Sequence, residues 1–65
     1  MRLTLEEFYT KSLDIFQESL KTNSFIFLLS ELLNAGKLKV EIRDDIIYVE
    51  INDKELERKV KEVER

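Results

Sequence analysis

Two alternating runs flank the dipeptide Asp44-Asp45: Leu38-Lys39-Val40-Glu41-Ile42-Arg43 before it and Ile46-Ile47-Tyr48-Val49-Glu50-Ile51 after it. A period of two is the pattern of a strand with one buried face, because successive side chains point to opposite sides of a sheet. A two-residue turn at Asp44-Asp45 sets Ile42 opposite Ile47, Val40 opposite Val49 and Leu38 opposite Ile51. All six apolar side chains then share one face, and Lys39 stands opposite Glu50 as an opposite-charge pair. A slip by one residue would turn the whole apolar set to solvent, so the register is strongly specified. Asp-Asp is a weaker turn former than Asn-Gly, which leaves room for a slightly longer loop.

The chain before this hairpin reads as two helices. Leu5, Tyr9, Leu13, Phe16 and Leu20 recur at helical spacing and predict a first helix from Leu5 to about Lys21. Glu7 and Lys11 make an i,i+4 pair on it, and Glu6, Asp14, Glu18 and Lys21 complete its polar side. Thr22-Asn23-Ser24 breaks the pattern. A second helix, Ser24 to Ala35, is stopped by Gly36, the single glycine of the chain. Its segment Phe25 to Leu33 is apolar nearly all round, which predicts the least exposed element, with Ile26, Leu29, Leu32 and Leu33 in the core, or half of an oligomer interface. Asn52 or Asp53 caps a last helix, Lys54 to about Glu64, whose inward stripe is Leu56, Val60 and Val63. The expected architecture is therefore α+β in the order α-α-β-β-α. It is a single small domain over residues 1–65, with a two-stranded antiparallel hairpin packed on helices.

Composition narrows the function. A 65-residue core leaves only about 3–5 kcal/mol of net stability. The chain has no Cys and no His, so the thiolate nucleophile, the imidazole base and the commonest zinc ligands are all missing. Gly36 stands alone, so there is no glycine-rich phosphate loop. Glu41, Asp44, Asp45 and Glu50 are acidic neighbours in sequence, but the turn carries the two Asp away from the two Glu. No enzyme activity, cofactor or metal is expected. A net charge of −3 disfavours direct nucleic-acid binding. The helix-turn-helix alternative fails on charge as well, because Ser24 to Ala35 holds neither Lys nor Arg. No segment has the length and apolarity of a membrane span and no signal sequence is evident, so a cytoplasmic location is expected. Many Glu, Lys, Ile, Leu and Val with no Pro suit both a hyperthermophile protein and a computationally designed one.

Large apolar residues exceed what one small core can take. Phe8, Ile15, Phe25, Phe27, Ile46 and Tyr48 fall off the best inward stripes. An isolated ribbon would also carry Ile46 and Tyr48 on its outer face and leave both its edges unpaired. Partner binding, or a homodimer through Ile46, Tyr48 or helix two, would use these surpluses.

The first nine residues suggest which partner. Thr4 and Glu7 have the spacing of a capping box, and Leu3 and Phe8 that of a hydrophobic staple. Leu5, Phe8 and Tyr9 lie at i, i+3 and i+4, so one helical turn can present them as a single apolar plug. This spacing resembles the Q-x-x-L-x-x-F-F box by which replication and repair proteins dock on the sliding clamp PCNA, with Arg2 at the Gln position and Tyr9 as the second aromatic. Thr4 before the aliphatic residue is common in archaeal versions. In particular, the chain looks like the short PCNA-inhibitor proteins of hyperthermophilic archaea. That resemblance implies a site made of Arg2, Thr4, Leu5, Phe8 and Tyr9, with the three apolar residues in the pocket under the clamp's connector loop. It also implies inhibition by competition, with Lys11 to Lys21 as the segment that displaces the loop and opens the ring. On this expectation Leu13, Phe16 and Leu20 keep helix one folded without Phe8 and Tyr9. The competing expectation is a structural or designed α+β miniprotein without a ligand, or a homodimer of one. Burial of Leu5, Phe8 and Tyr9 within the domain's own core would leave no docking peptide without local opening.

Overall fold

The computed structural model describes residues 1–63. Its elements are β1 (Arg2–Thr4), α1 (Leu5–Ile15), α2 (Gln17–Thr22), α3 (Phe25–Asn34), β2 (Leu38–Arg43), β3 (Ile46–Ile51) and α4 (Lys54–Glu62). The class is α+β: helices cover one face of an antiparallel sheet ordered β1-β3-β2.

The hairpin has the register that its alternation predicts, with Leu38 opposite Ile51, Val40 opposite Val49 and Ile42 opposite Ile47. The longer loop is not used. Asp44 and Asp45 take φ of 53° and 63°, the paired left-handed geometry of a two-residue type I′ turn. Pairing runs one-to-one from Leu38 to Arg43 without a bulge.

The sheet has three strands, where the sequence suggested two. Arg2, Leu3 and Thr4 pair with Glu50, Val49 and Tyr48, which makes β3 the central strand and closes one of its edges. The Ile51 N–H donates to the Met1 carbonyl at 2.7 Å and extends this ladder. Three residues are too few to show a period of two, so β1 left no alternation to read.

β1 also sets the rotation of the helix that follows. Thr4 ends the strand and caps α1, with both halves of the capping box formed. Leu3, opposite Val49, packs against the core cluster, and Phe8 is completely buried within it. The inward residues of α1 are therefore Leu5, Phe8, Ser12 and Ile15, whereas Tyr9 and Leu13 from the expected stripe are exposed. Buried Ser12 donates to the Phe8 carbonyl at 2.7 Å, a back-bond that bends helices. One turn later Phe16, at φ −115° and ψ 39°, leaves the helical region and separates α1 from α2. The single helix expected from Leu5 to Lys21 is thus two. Lys11, assigned to the solvent side and to Glu7, donates instead to the Val63 carbonyl at 2.6 Å, tying α1 to the end of α4.

The third helix departs furthest from expectation. Its caps are as read: Ser24 accepts from the Phe27 N–H, and Gly36 at φ 76° ends it. The Gly36 and Lys37 N–H groups donate to Leu33 and Leu32, which is a Schellman motif. However, α3 is not the least exposed element. Leu28 and Leu32 are buried and Leu29 partly so, but Ile26 is 69% exposed and Leu33 is also at the surface. In a domain with one helical layer on one sheet, a helix is covered on one side only, however apolar it is.

In α4, Asp53 is the cap, accepting from the Leu56 N–H at 3.0 Å. Leu56 and Val60 are buried, and Val63 is half-buried at the C-cap. The helix ends at Glu62, short of the end expected near Glu64: Val63 already has extended backbone, at φ −88° and ψ 116°, and Glu64 lies outside the described residues.

Leu32→Ala is expected to cost about 2–5 kcal/mol, and Ile26→Ser less than about 0.5 kcal/mol. Urea unfolding of both variants checks this. Equal losses would show that α3 is buried on both sides.

Candidate functional site

The residues of the clamp-like box are placed in quite different environments. Arg2 lies in β1, with its guanidinium 4.9 Å above the Tyr48 ring and ion-paired to Glu41. Thr4 is committed to the helix cap. Phe8 is 0% exposed. Leu5 is half-buried, and of the three apolar residues only Tyr9 is exposed, at 45%. Its ring meets Phe25 edge-on, 4.9 Å between centroids at 85°. Phe25 in turn lies 6.1 Å from Phe8. The three apolar residues of the box therefore do not present one plug. Phe8 would have to leave the core for all three to enter a partner's pocket together.

Leu5 and Tyr9 contribute to a different feature. A depression of about 410 Å³ is lined by Thr4, Leu5, Glu6, Asp45, Ile46 and Ile47. A second, of about 470 Å³, is lined by Leu5, Glu6, Tyr9, Thr10 and Phe25. They share Leu5 and Glu6 and so adjoin, and the pair is called the trough below. Its origin is topological. β1 stops at Thr4, opposite Tyr48, so Ile46 and Ile47 have no strand beside them on that side. The chain turns there into α1, whose first residue, Leu5, lines both depressions. Ile46, Ile47 and Tyr9 remain exposed around it.

Glu7 accepts from the Thr4 N–H at 2.9 Å and from its hydroxyl at 3.1 Å. These two bonds, with nearby Lys11, hold its carboxyl below the ordinary value of 4.5. Among the described residues no three or more carboxylates converge as a metal site. Nor is any helix among them long and apolar enough to cross a membrane. Comparison with protein-family models, curated proteins and solved structures returned no match to this chain.

Ile46 was singled out from sequence as an outer-face residue, and it does line the trough. Tyr48, assigned to the same exposed face, is half-buried beneath Arg2. Phe25 was among the surplus apolar residues and lines the trough; Ile47 was missed as a surface-site residue. Ile47 alternates with the core positions Val49 and Ile51 and is uncovered only because the helical layer ends before the tip.

Two outcomes are expected. Phe8→Ala should cost about 3–5 kcal/mol, enough to unfold a domain of this size, whereas Tyr9→Ala should cost less than about 1.5 kcal/mol. Chemical denaturation followed by circular dichroism separates them, and unfolding of Phe8→Ala would reverse the expectation that the fold survives loss of both aromatics. Glu7 has a lowered folded-state pKa, so its contribution is present above its ordinary value and is lost as pH falls through the folded one. Stability should therefore fall as pH drops below the ordinary value of 4.5, and that of Glu7→Gln, which keeps the cap but cannot ionise, should fall less steeply. Parallel profiles for the two proteins would remove Glu7 from the acid response.

Proposed function

We propose that this protein is a small protein-binding module, not a catalyst, and that the trough along Ile46, Ile47, Leu5, Tyr9 and Phe25 is its binding surface. The observation that carries this reading is the adjoining pair of depressions around Leu5, walled by apolar side chains left exposed in a domain with little core to spare. Exposed apolar surface beside a concave, apolar floor marks a contact site for another polypeptide. An amphipathic segment that inserts one or two aliphatic or aromatic side chains fits such a trough.

The sliding clamp remains a specific candidate partner, because Leu5 and Tyr9 of the box-like segment both border the trough. Against the preformed box stands Phe8, whose withdrawal from the core would cost about as much as the whole fold is worth. Docking through the trough leaves Phe8 where it is.

The double variant Tyr9→Ser, Ile46→Thr is expected to lose less than about 2 kcal/mol of stability, because neither side chain is in the core. A soluble paramagnetic probe should relax the Ile46 and Ile47 methyl signals of dilute wild type strongly. Protected methyls would mean a closed trough and would sink the module reading. Calorimetry against an archaeal clamp tests the named partner. Binding that the double variant lacks assigns the trough. No heat at high micromolar concentration removes the clamp and leaves other polypeptides.

A further inference from the structure

We infer that β2 is a self-complementary edge and that two copies of this chain associate through it in antiparallel register, forming a continuous six-stranded sheet. The inference deepens the proposed role as a protein-binding module by naming a partner, a second copy, and rests on that reading only for the hairpin as a contact element.

The edge is open. β3 pairs with β1 on one side and β2 on the other, so among the described residues no strand lies on the far side of β2. Every β2 residue after Leu38 is exposed, and Ile42 reaches 71%. In an antiparallel hairpin closed by a two-residue turn, hydrogen-bonded and non-hydrogen-bonded pairs alternate from the turn. Arg43, Glu41 and Lys39 therefore bond to β3, and the Ile42, Val40 and Leu38 backbone groups point outward. The Asn52 N–H donating to the Lys37 carbonyl at 2.8 Å continues the same alternation. Monomers blunt such an edge with charged side chains, Pro, a bulge or an inward-pointing charge, and the charges of β2, Lys39, Glu41 and Arg43, alternate onto its outer face only. β2 has no Pro, is paired one-to-one throughout, and carries Val40 and Ile42 on its helix-side face.

The charges select one register. A two-fold axis at Val40 pairs Val40 with the partner's Val40 through outward backbone groups, and Leu38 with the partner's Ile42. It also places Lys39 opposite the partner's Glu41, twice by symmetry, at a non-hydrogen-bonded site where cross-strand side chains are closest. Shifting the partner by two residues one way opposes Glu41 to the partner's Glu41 and Lys39 to the partner's Arg43. The same shift the other way opposes Lys39 to the partner's Lys39. Both neighbouring registers oppose like charges within β2, whereas with the axis at Val40 the one like-charge pair, Lys37 with the partner's Arg43, falls past the end of the strand; a one-residue shift mismatches the two faces. A symmetric contact must be complementary to itself, and this register is. Glu41 also pairs with Arg2 and Arg43 of its own chain. A carboxylate with two oxygens can accept from several cations at an exposed site.

The test uses the full chain. Sedimentation equilibrium of wild type from low to high micromolar concentration should show a monomer–dimer transition. Lys39→Glu replaces both opposite-charge pairs by like-charge pairs and should weaken association about tenfold. The chain has no Cys, so a single introduced thiol reports the register cleanly. Val40→Cys should form a covalent dimer in a glutathione redox buffer, because directly opposed hydrogen-bonded residues lie about 5.5 Å apart at Cα, within disulfide range. Ile42→Cys should not, because it faces the partner's residue 38 and not its own copy. Circular dichroism confirms that each variant is folded. Wild type that stays monomeric throughout overturns the inference. A dimer that cross-links through Ile42→Cys and not Val40→Cys overturns the register. A dimer untouched by Lys39→Glu but lost in Tyr9→Ser, Ile46→Thr refutes the edge contact while supporting the trough. Protection of the trough methyls in the monomer would end the module reading and leave the edge result standing.

Discussion

Pairing of Leu3 with Val49 fixes the direction in which the chain enters its first helix, and most of the core depends on that direction. Because Leu3 faces the helical layer, Thr4 must face away from it, at the point where its side chain can cap α1. The cap then fixes the first turn of α1, and Phe8 falls beneath Val49 and beside Phe25. A rotation of α1 by one residue would bury Tyr9 in its place, with a hydroxyl to satisfy in an apolar core. Three backbone pairs and a capping box thus choose between two aromatic residues that adjoin in sequence. The choice is the difference between a docking peptide and a structural helix.

This explains which features were legible in the sequence. The hairpin register, the Gly36 stop and a cap at Asn52 or Asp53 follow from local chemistry: a period of two, a left-handed C′ residue, a side-chain oxygen with a free N–H three residues on. Each was readable because its physical cause lies within a few residues. The rotation of α1 was not, because Leu5-Tyr9-Leu13 and Leu5-Phe8-Ser12 are both helical stripes, and the more apolar one is the wrong one. Small Ser12, with its hydroxyl returned to the Phe8 carbonyl, gives no hydrophobic signal though it is fully buried. The strand that decides the matter has three residues and pairs with a strand more than forty positions away. The trough was half-legible. Ile46 was marked as surplus, whereas Ile47 has the alternation of a core residue and is uncovered only by the length of the helical layer.

The size of the domain accounts for its apolar surface. Helices on one face of a three-stranded sheet can bury only the residues between the two layers. Phe8, Leu28, Leu32, Leu38, Val49, Ile51, Leu56 and Val60 form that interior, around the end of the hairpin away from its turn. Beyond it the strands continue, so Val40, Ile42 and Ile47 keep the alternation of a buried face without a layer above them. Alternation in sequence records which side of the sheet a residue takes, not whether anything covers it. The outer face makes the contrast, since Arg2, Glu41 and Arg43 form an ion-pair group there and Arg2 lies over Tyr48.

The two surfaces assigned to the hairpin lie on opposite sides of it, which bears on how they could be used. The trough lies on the β1 side of β3, where that strand runs past Thr4, and the open edge lies on the far side of β2. Pairing at β2 would extend the sheet away from Leu5 and would not fill the trough. A dimer formed that way carries two troughs related by its two-fold axis, on the two flanks of the extended sheet. Two linked sites on one assembly raise the effective concentration of the second contact once the first is made. A weak single trough would then suffice for a partner that is itself multimeric, as a ring-shaped clamp is. Association through β2 and recognition through Leu5 would be successive uses of one hairpin, the first stiffening its tip and the second reading the side that β1 leaves bare.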